Sequence, residues 1–230
     1  SRYINGRKDL MGEQARERIR AAIEMTNYVP SDIASNLKKH TTNLIGLTVA
    51  DITSPFSSAL ISGVSNYLEP LGYTLLMADT SDNPEKEIRS LKSLLAKGVS
   101  GLLVNTASYS NDFLIQTECS GTPIVLCDRY VRNHTFDIVT SNSPECFAKL
   151  IAHTKAQGYT RPLFFVQEWE NNSTRMRLRD AFIHSVQEIY GYDPSSDVFT
   201  LRPGSVDAQS CLRRALSSQK HQLPIAIGCN

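Results

Sequence analysis

The chain has 230 residues, of which 41% are apolar and 20% are charged, and this length allows one large domain or two smaller ones. No apolar run approaches the roughly 18 residues that a membrane-spanning helix needs, which excludes the membrane-embedded class of proteins. The polar, basic N-terminal stretch lacks the apolar core of a secretory signal peptide. We therefore expect a cytoplasmic globular protein with no membrane partner.

The formal net charge of +1 conceals an asymmetry along the chain. Residues 1–40 contain eight Lys or Arg and five Asp or Glu, a net charge of +3, whereas the remaining residues carry a net charge of −2. A basic segment on a slightly acidic body favours a polyanionic partner at one end only.

Motifs of established catalytic or metal chemistry are absent from the sequence. The five cysteines are odd in number and widely spaced, and neither they nor the five histidines have metal-site spacing, so we predict reduced thiols and no metal. The sequence has no phosphate-binding G-x-x-x-x-G-K-[ST] loop, no dinucleotide-binding G-x-G-x-x-G turn and no G-x-S-x-G nucleophile elbow. We therefore expect no cofactor and no enzymatic activity.

Two helical patterns come first in chain order. Residues 12–26 place apolar side chains such as Ala15, Ile19 and Ile23 on one face at a spacing of 3.6 residues, which predicts an amphipathic helix. The stretch "NYVPSDIASNLKK" (27–39) has a Pro-Ser start and apolar residues at helical spacing. It predicts a second helix of about eight residues, a length that is marginal in water by itself.

From residue 44 onward, apolar strand-like runs alternate with helical patterns. The predicted strands cover residues 44–50, 73–78, 101–105, 123–128, 138–140, 163–167, 198–201 and 225–229. The predicted helices cover residues 56–71, 84–96, 111–119, 144–157, 174–190 and 206–218. Nearly continuous apolar strands are typical of parallel sheets buried on both faces. The alternation therefore predicts an α/β fold with two doubly wound sheets that part near residues 140–160.

Polar residues follow the predicted strands at their carboxyl ends, where ligands bind in doubly wound sheets. They are Asp51 to Ser54, Asp79 and Thr80, Asn105 and Thr106, Asp128 and Arg129, and Asn142. Carboxylate, amide and hydroxyl groups suit hydrogen bonding to a small hydroxylated ligand.

Several segments, taken together, resemble the lactose-repressor (LacI/GalR) family of bacterial transcription regulators. They are "SRYINGRKDLMGEQARERIRAAIEMTNYVP", "SDIASNL", "NLIGLTVADITSPFSSALISGV", "GYTLLMADTSDNPEKEIRSLKSLLAKGVSGLLVNT", "TPIVLCDR" and "STRMRLRDAF". The resemblance covers nearly the whole chain in the family's order and spacing. It implies two periplasmic-binding-protein-like α/β subdomains, each with a doubly wound parallel sheet, preceded by part of an all-α helix-turn-helix headpiece.

The resemblance also implies domain boundaries. Residues 1–30 would form the partial DNA-binding headpiece, 31–40 the hinge helix, 41–140 the N-terminal effector-binding subdomain and 141–230 the C-terminal one. The chain has no initiator Met and stops at "PIAIGCN". We therefore expect a fragment that is truncated at both ends, with an incomplete second subdomain.

The implied function is that of a homodimeric, allosteric repressor that binds double-stranded operator DNA and responds to a small sugar or sugar-acid effector between its subdomains. The segment "DITSPFSS", with the strand ends "NT" and "DR", resembles regulators of 2-keto-3-deoxygluconate and related sugar acids. Two alternatives stay open: a periplasmic-type sugar-binding protein without DNA function, and an α/β enzyme acting on a sugar or nucleotide. The basic N-terminal segment argues against the first alternative.

Eight residues carry the implied DNA contacts. They are Ser1, Arg2, Asn5, Asn27, Tyr28, Ala34, Leu37 and Lys38. Arg2 would read a base edge in the major groove, and Leu37 would insert into the minor groove as an apolar wedge. The alternatives are a solvated Arg2, turn or packing roles for the two asparagines and the tyrosine, and a stable connector with Leu37 in a core.

Twelve residues carry the implied effector contacts. They are Phe56, Ser57, Asp79, Thr80, Asn105, Asp128, Arg129, Asn142, Trp169, Thr174, Arg175 and Asn230. Phe56 and Trp169 are alternatively core aromatics. Leu178 stands where the family usually has a ligand-binding arginine, so we expect Arg175, among the nearby arginines, to take that role.

Overall fold

The computed structural model describes residues 11–26, 42–201, 209–210, 213 and 224–229. The chain divides into two compact units, residues 1–42 and residues 43–230, which are described separately. The described segment of the first unit contains helix α1 (Glu13–Thr26), as predicted. Arg20 lies 3.1 Å from the Glu17 carboxylate, a pairing that stabilises a helix because residues three apart share a face. The predicted hinge helix lies outside the described residues.

The second unit begins with a parallel sheet and its connecting helices. The described part of this first sheet has five strands in the order β2-β1-β3-β4-β5: β1 (Leu44–Val49), β2 (Thr74–Asp79), β3 (Gly101–Val104), β4 (Ile124–Cys127) and β5 (Asp137–Val139). Its helices are α2 (Pro55–Leu68), α3 (Pro84–Ala96) and α4 (Asp112–Cys119). All four strand pairs are parallel.

A second parallel sheet follows in the same unit. Its described strands have the order β7-β6-β8: β6 (Arg161–Val166), β7 (Val198–Thr200) and β8 (Pro224–Cys229). Helix α5 (Ser143–Ala156) precedes this sheet, and α6 (Ser173–Tyr190) connects β6 to β7. The structure confirms the predicted α/β fold with parallel sheets, and most of the predicted helix at 206–218 lies outside the described residues.

The core of the first sheet forms where α3 and α4 pack on the central strands. Leu91 and Leu94 of α3, Leu102 of β3 and Leu114 of α4 belong to one buried cluster. Gly46 of β1 permits this packing, because a Cβ atom there would lie 2.7 Å from Leu102 Cδ2.

The core of the second sheet is built around aromatic side chains. Phe164 of β6 stacks on Phe182 of α6 with ring centroids 5.1 Å apart, and it meets Phe147 of α5 edge-on at 5.5 Å.

No helix of the described residues is long and apolar enough to cross a membrane.

Three helices start with an asparagine whose side chain accepts a hydrogen bond from the first turn. Asn83, Asn111 and Asn172 begin α3, α4 and α6 in this way, with donor–acceptor distances of 2.8 to 3.1 Å. Such caps satisfy backbone N–H groups that have no partner within the helix, so they fix where each helix begins.

The parallel register brings the ends of the first-sheet strands to one edge. Val49 of β1 pairs with Asp79 of β2, and Cys127 of β4 pairs with Val139 of β5. The loops after these strands therefore meet at a common edge, which is where the sequence predicts a binding site.

Candidate functional site

A cleft of about 620 Å³ opens between this edge and the start of α6, within the volume range of small-molecule sites. The side formed by the first sheet consists of Ala50, Asp51, Ile52, Thr53, Ser54, Pro55, Phe56, Ser57, Asp79, Ser81, Asp82, Asn105, Asp128 and Arg129. The opposite side, after β6, consists of Gln167, Asn172, Thr174 and Arg175. Loops from both sheets thus surround one volume.

Asn105 forms a buried part of the cleft wall and ties two strand ends together. Its carbonyl oxygen accepts from the Ala50 backbone N–H at 3.3 Å, and its amide donates to the Cys127 carbonyl at 2.8 Å. The side chain therefore bridges the ends of β1 and β4 across β3.

Asp79 anchors the loop after β1. Its carboxylate accepts from the Ser81 hydroxyl at 2.7 Å, from Lys86 Nζ at 2.9 Å and from the Ile52 backbone N–H at 3.1 Å. These bonds, that of Ser81 foremost, lower the pKa of Asp79 to about 2. The carboxylate is thus a fixed negative charge at any physiological pH.

The turn before α2 carries both polar and apolar cleft residues. Asp51 accepts from the Thr53 backbone N–H at 2.8 Å and from the Thr53 hydroxyl at 2.6 Å. Ile52 and Phe56 expose 43% and 45% of their surface at this wall. Apolar and hydroxyl-accepting groups side by side match the two kinds of surface that a sugar ring presents.

Arg129 is the cation on the first-sheet side of the cleft. Its Nη1 atom lies 2.5 Å from Asp82 Oδ1 and donates to the Thr106 carbonyl at 3.0 Å. The guanidinium group is therefore held between the loop before α3 and the loop after β3.

Asp128 links the two sides of the cleft. The residue adopts a positive φ of 66°, and its carboxylate accepts from the Thr174 hydroxyl at 2.8 Å and from Arg177 Nη2 at 3.3 Å. The Tyr130 backbone N–H donates to the Ser173 hydroxyl at 2.8 Å. These three bonds join the end of β4 to the first turns of α6.

The three arginines of α6 have different partners. Arg175 lines the cleft and donates to the Glu168 carbonyl at 3.0 Å and to the Gln167 side chain. Arg177 bonds to Asp128, whereas Arg179 lies over the Trp169 ring at 5.3 Å from its centroid. Arg175 is thus the arginine at the position that we expected to face a ligand.

The structure brings together eight of the twelve predicted effector residues in the cleft lining. They are Phe56, Ser57, Asp79, Asn105, Asp128, Arg129, Thr174 and Arg175. Asn230 and all eight predicted DNA-binding residues lie outside the described residues, so those assignments stay predictions.

Three predicted effector residues lie outside the lining, contrary to the expectation that they sit at the cleft. Thr80 is buried, and its hydroxyl donates to the Val49 carbonyl at 3.1 Å. Asn142 is exposed at the start of α5, where its amide lies 3.4 Å from the Glu145 carboxylate. Trp169 packs against the aromatic core of the second sheet, so the packing alternative describes it better.

Several cleft residues were not among the twelve predicted effector contacts. They are Ala50, Asp51, Ile52, Thr53, Ser54, Pro55, Ser81, Asp82, Gln167 and Asn172. Asp51 to Ser54 were already expected near a ligand as residues at a strand end, whereas Gln167 was placed inside a predicted strand and in fact stands directly after β6. Asp82 carried no such signal, because it reaches the cleft through a turn in which it and Ser81 both have a φ of 51°.

The charges in and around the cleft balance. The lining carboxylates are those of Asp51, Asp79, Asp82 and Asp128, and the cations are the lining residues Arg129 and Arg175 with the ion-pair partners Lys86 and Arg177. No group of three or more His, Cys, Asp or Glu that could hold a metal ion occurs in the described part of the chain. The arrangement offers many hydrogen-bonding groups for a polar ligand.

Curated relatives of this chain are transcription regulators. It is 33% identical over 193 residues to the HTH-type transcriptional regulator KdgR of Bacillus subtilis (strain 168), an alignment that covers 83% of this chain and 57% of the relative. It is also 33% identical over 186 residues to the HTH-type transcriptional regulator PtxS of Pseudomonas putida, covering 81% of this chain and 55% of the relative. The chain thus spans little more than half the length of these relatives.

Solved structures share the fold at lower identity. A Lac repressor bound to ONPG superposes with a TM-score of 0.68 at 17% identity, over 81% of this chain and 57% of the repressor. A LacI transcriptional regulator from Lactobacillus brevis gives 0.65 at 22% identity, over 81% and 69% of the two chains. The family model described as periplasmic binding proteins and sugar-binding domain of the LacI family matches residues 42–226. The chain therefore belongs to this family of periplasmic binding proteins and LacI-type sugar-binding domains.

Proposed function

We propose that the chain is part of a DNA-binding transcriptional repressor whose operator affinity is controlled by a sugar or sugar acid in the cleft. The observation that carries the proposal is the cleft itself, a polar volume between two parallel sheets in a member of a sugar-binding family. The relatives KdgR and PtxS are named as HTH-type transcriptional regulators, which favours regulation over enzymatic turnover.

The groups on the cleft walls favour a hydroxylated ligand that carries one carboxylate. Carboxylates such as those of Asp51 and Asp82 accept hydrogen bonds from hydroxyl groups, and the exposed faces of Ile52 and Phe56 suit the C–H surface of a sugar. Arg129 and Arg175 lie on opposite sides and present guanidinium groups, which bind carboxylates well. A sugar acid satisfies all three kinds of group.

The proposed regulator acts in the cytoplasm as a homodimer on double-stranded DNA. An apolar edge made by α2, the turn after it and β2 supports the homodimer, because it leaves Tyr67, Leu71 and Met77 exposed by 72%, 56% and 44%. Large apolar side chains grouped at one sheet edge are typical of interfaces between subunits. A two-fold dimer would present two copies of the basic N-terminal segment to a palindromic site.

Ligand binding by the 230-residue chain, and DNA binding by a longer protein that carries the complete headpiece, test the proposal. We expect gluconate or 2-keto-3-deoxygluconate, but not glucose, to raise the melting temperature, because a ligand that binds the native state stabilises it. Arg175→Gln should abolish most of this shift, whereas Arg89→Gln, on an exposed part of α3, should retain it. The sugar acid that binds should also change retention on DNA at moderate salt. Ligand binding without DNA binding, in a protein that carries the complete headpiece, would instead favour the periplasmic-type alternative.

A further inference from the structure

Glu87 is a carboxylic acid in the core of the first sheet, with none of its surface exposed. It belongs to α3 and faces the loop after β3. Oε1 accepts from the Ala107 backbone N–H at 3.0 Å, and Oε2 lies 2.8 Å from Asn111 Nδ2 and 3.1 Å from Thr106 Oγ1. A buried carboxyl group is costly unless such bonds satisfy it, so this one fixes the loop.

The same loop holds the cleft arginine. Thr106 contacts Glu87 through its hydroxyl and accepts from Arg129 Nη1 through its carbonyl oxygen, at 3.0 Å. Asn111, at the far end of the loop, also caps α4 by accepting from the Leu114 backbone N–H at 3.1 Å. Through these two hydrogen bonds, the single residue Thr106 therefore connects the buried carboxyl group of Glu87 to the guanidinium group of Arg129 at the cleft.

The hydroxyl of Thr106 has one proton for two acceptors. It lies 3.1 Å from Glu87 Oε2 and 3.1 Å from the Ser108 carbonyl oxygen, and it accepts from the Ser108 backbone N–H at 3.2 Å. If Glu87 is protonated, it donates to Thr106 and Thr106 donates to Ser108, so every group is satisfied. If Glu87 is ionised, Thr106 must donate to it, and the Ser108 carbonyl loses its donor.

We propose that Glu87 is a positioning residue for the cleft, which holds the Thr106 loop and thereby Arg129 in an arrangement that depends on whether Glu87 carries a proton. The inference rests on the proposed function only in assuming that Arg129 faces an anionic ligand. The geometry of the loop and of Arg129 is independent of any ligand.

Burial places the proton exchange of Glu87 near neutral pH. Desolvation outweighs the hydrogen bonds from Ala107 and Thr106 and raises the pKa of Glu87 to about 7. The charges that act on it from other segments are Arg129, which lowers this pKa, and Asp82, which raises it. A carboxylate bound beside Arg129 would offset that cation and favour neutral Glu87, so the ligand would bind with proton uptake.

The first test follows Arg129 without any ligand. NMR signals of the Arg129 Nε–H group and the Ala107 amide are recorded between pH 5.5 and 8.5 for the 230-residue chain, Glu87→Gln and the control Glu85→Gln. Glu85 lies on the same helix with 87% of its side chain exposed. We expect both signals to shift with one midpoint near pH 7 in the unmodified chain and in the control, and to lose that transition in Glu87→Gln.

An Arg129 signal that stays constant while the Ala107 amide titrates would overturn the proposal. So would an unchanged transition in Glu87→Gln. If Glu87→Gln does not fold, the titration of the unmodified chain decides by itself, because only a linked Arg129 moves with the buried carboxyl group.

The second test uses gluconate as the probe in calorimetric titrations at pH 6 and pH 8. We expect its dissociation constant to rise roughly three- to tenfold between these values in the unmodified chain and to stay nearly constant in Glu87→Gln. Equal pH dependence in both proteins would contradict the proposal. If gluconate does not bind at all, the proposed effector class fails, whereas the ligand-free NMR result still decides the role of Glu87.

Discussion

Two of the predicted ligand contacts, Asn105 and Asp128, have their polar atoms bonded to other segments of the protein. Both hydrogen-bonding groups of the Asn105 amide are bonded to backbone atoms of neighbouring strands, and the Asp128 carboxylate is bonded to α6. Both residues were predicted as ligand contacts because they follow strands. The position of a residue directly after a strand indicates that it lies near the cleft. Its hydrogen-bond partners, however, come from segments that are distant in the chain.

Replacing Asn105 by Ala should therefore reduce the stability of the fold, whatever its effect on ligand binding. The change deprives the Ala50 N–H and the Cys127 carbonyl of a buried partner, so we expect the free energy of unfolding to fall by about 1–3 kcal/mol in urea denaturation. Asn142→Ala is the matched control, because Asn142 is exposed and its side chain does not cap α5. Equal effects of the two changes would contradict the bridging role.

Most secondary elements could be predicted from the sequence, because a strand buried on both faces and an amphipathic helix each have a characteristic pattern. Helix α3 was predicted with the bounds Pro84–Ala96 that the structure has. The common edge of the strands, and hence the cleft, followed from the parallel arrangement. The position of Asp82 at the cleft could not be predicted, because it depends on a left-handed turn. The hydrogen-bonding role of Glu87 could not be predicted either, because its partners lie 19 to 24 residues away in the chain.

Two glycines illustrate how the packing around a position decides whether a Gly→Ala substitution stabilises or destabilises the fold. A Cβ at Gly46 of β1 would lie 2.7 Å from Leu102 and 3.2 Å from Leu94, so Gly46→Ala should destabilise the fold by about 1–3 kcal/mol. Gly63, within α2, has no atom within 4 Å of a Cβ position, so Gly63→Ala should stabilise it by about 0.5–1 kcal/mol. Thermal unfolding of both variants would show opposite shifts, and a shared direction would contradict this account.

At the scale of the molecule, an apolar sheet edge and a cleft lie in the same unit. The edge of α2 and β2 is the surface that supports the proposed homodimer, and α2 also contributes Phe56 and Ser57 to the cleft at its first turn. Because one helix would take part in both, a ligand that moves the start of α2 is able to affect the contact between subunits.

Tyr67→Glu tests the proposed interface. A charge inside an apolar contact loses its hydration, so we expect the variant to elute as a monomer in size-exclusion chromatography with light scattering, while the unmodified chain elutes as a dimer. Val139→Glu is the control, because Val139 is 70% exposed on β5 at the opposite edge of the sheet. A dimeric Tyr67→Glu protein would locate the interface elsewhere.

The charge balance of the cleft has a consequence for how fast a ligand enters. Each of Asp79, Asp82 and Asp128 has a cation within 3.3 Å, so their fields cancel over distances longer than the cleft. Attraction from a distance then adds little to the encounter rate, and association should depend only weakly on ionic strength. Discrimination between a sugar acid and a neutral sugar would instead occur after entry, when the carboxylate of the ligand displaces an aspartate carboxylate that already lies beside an arginine.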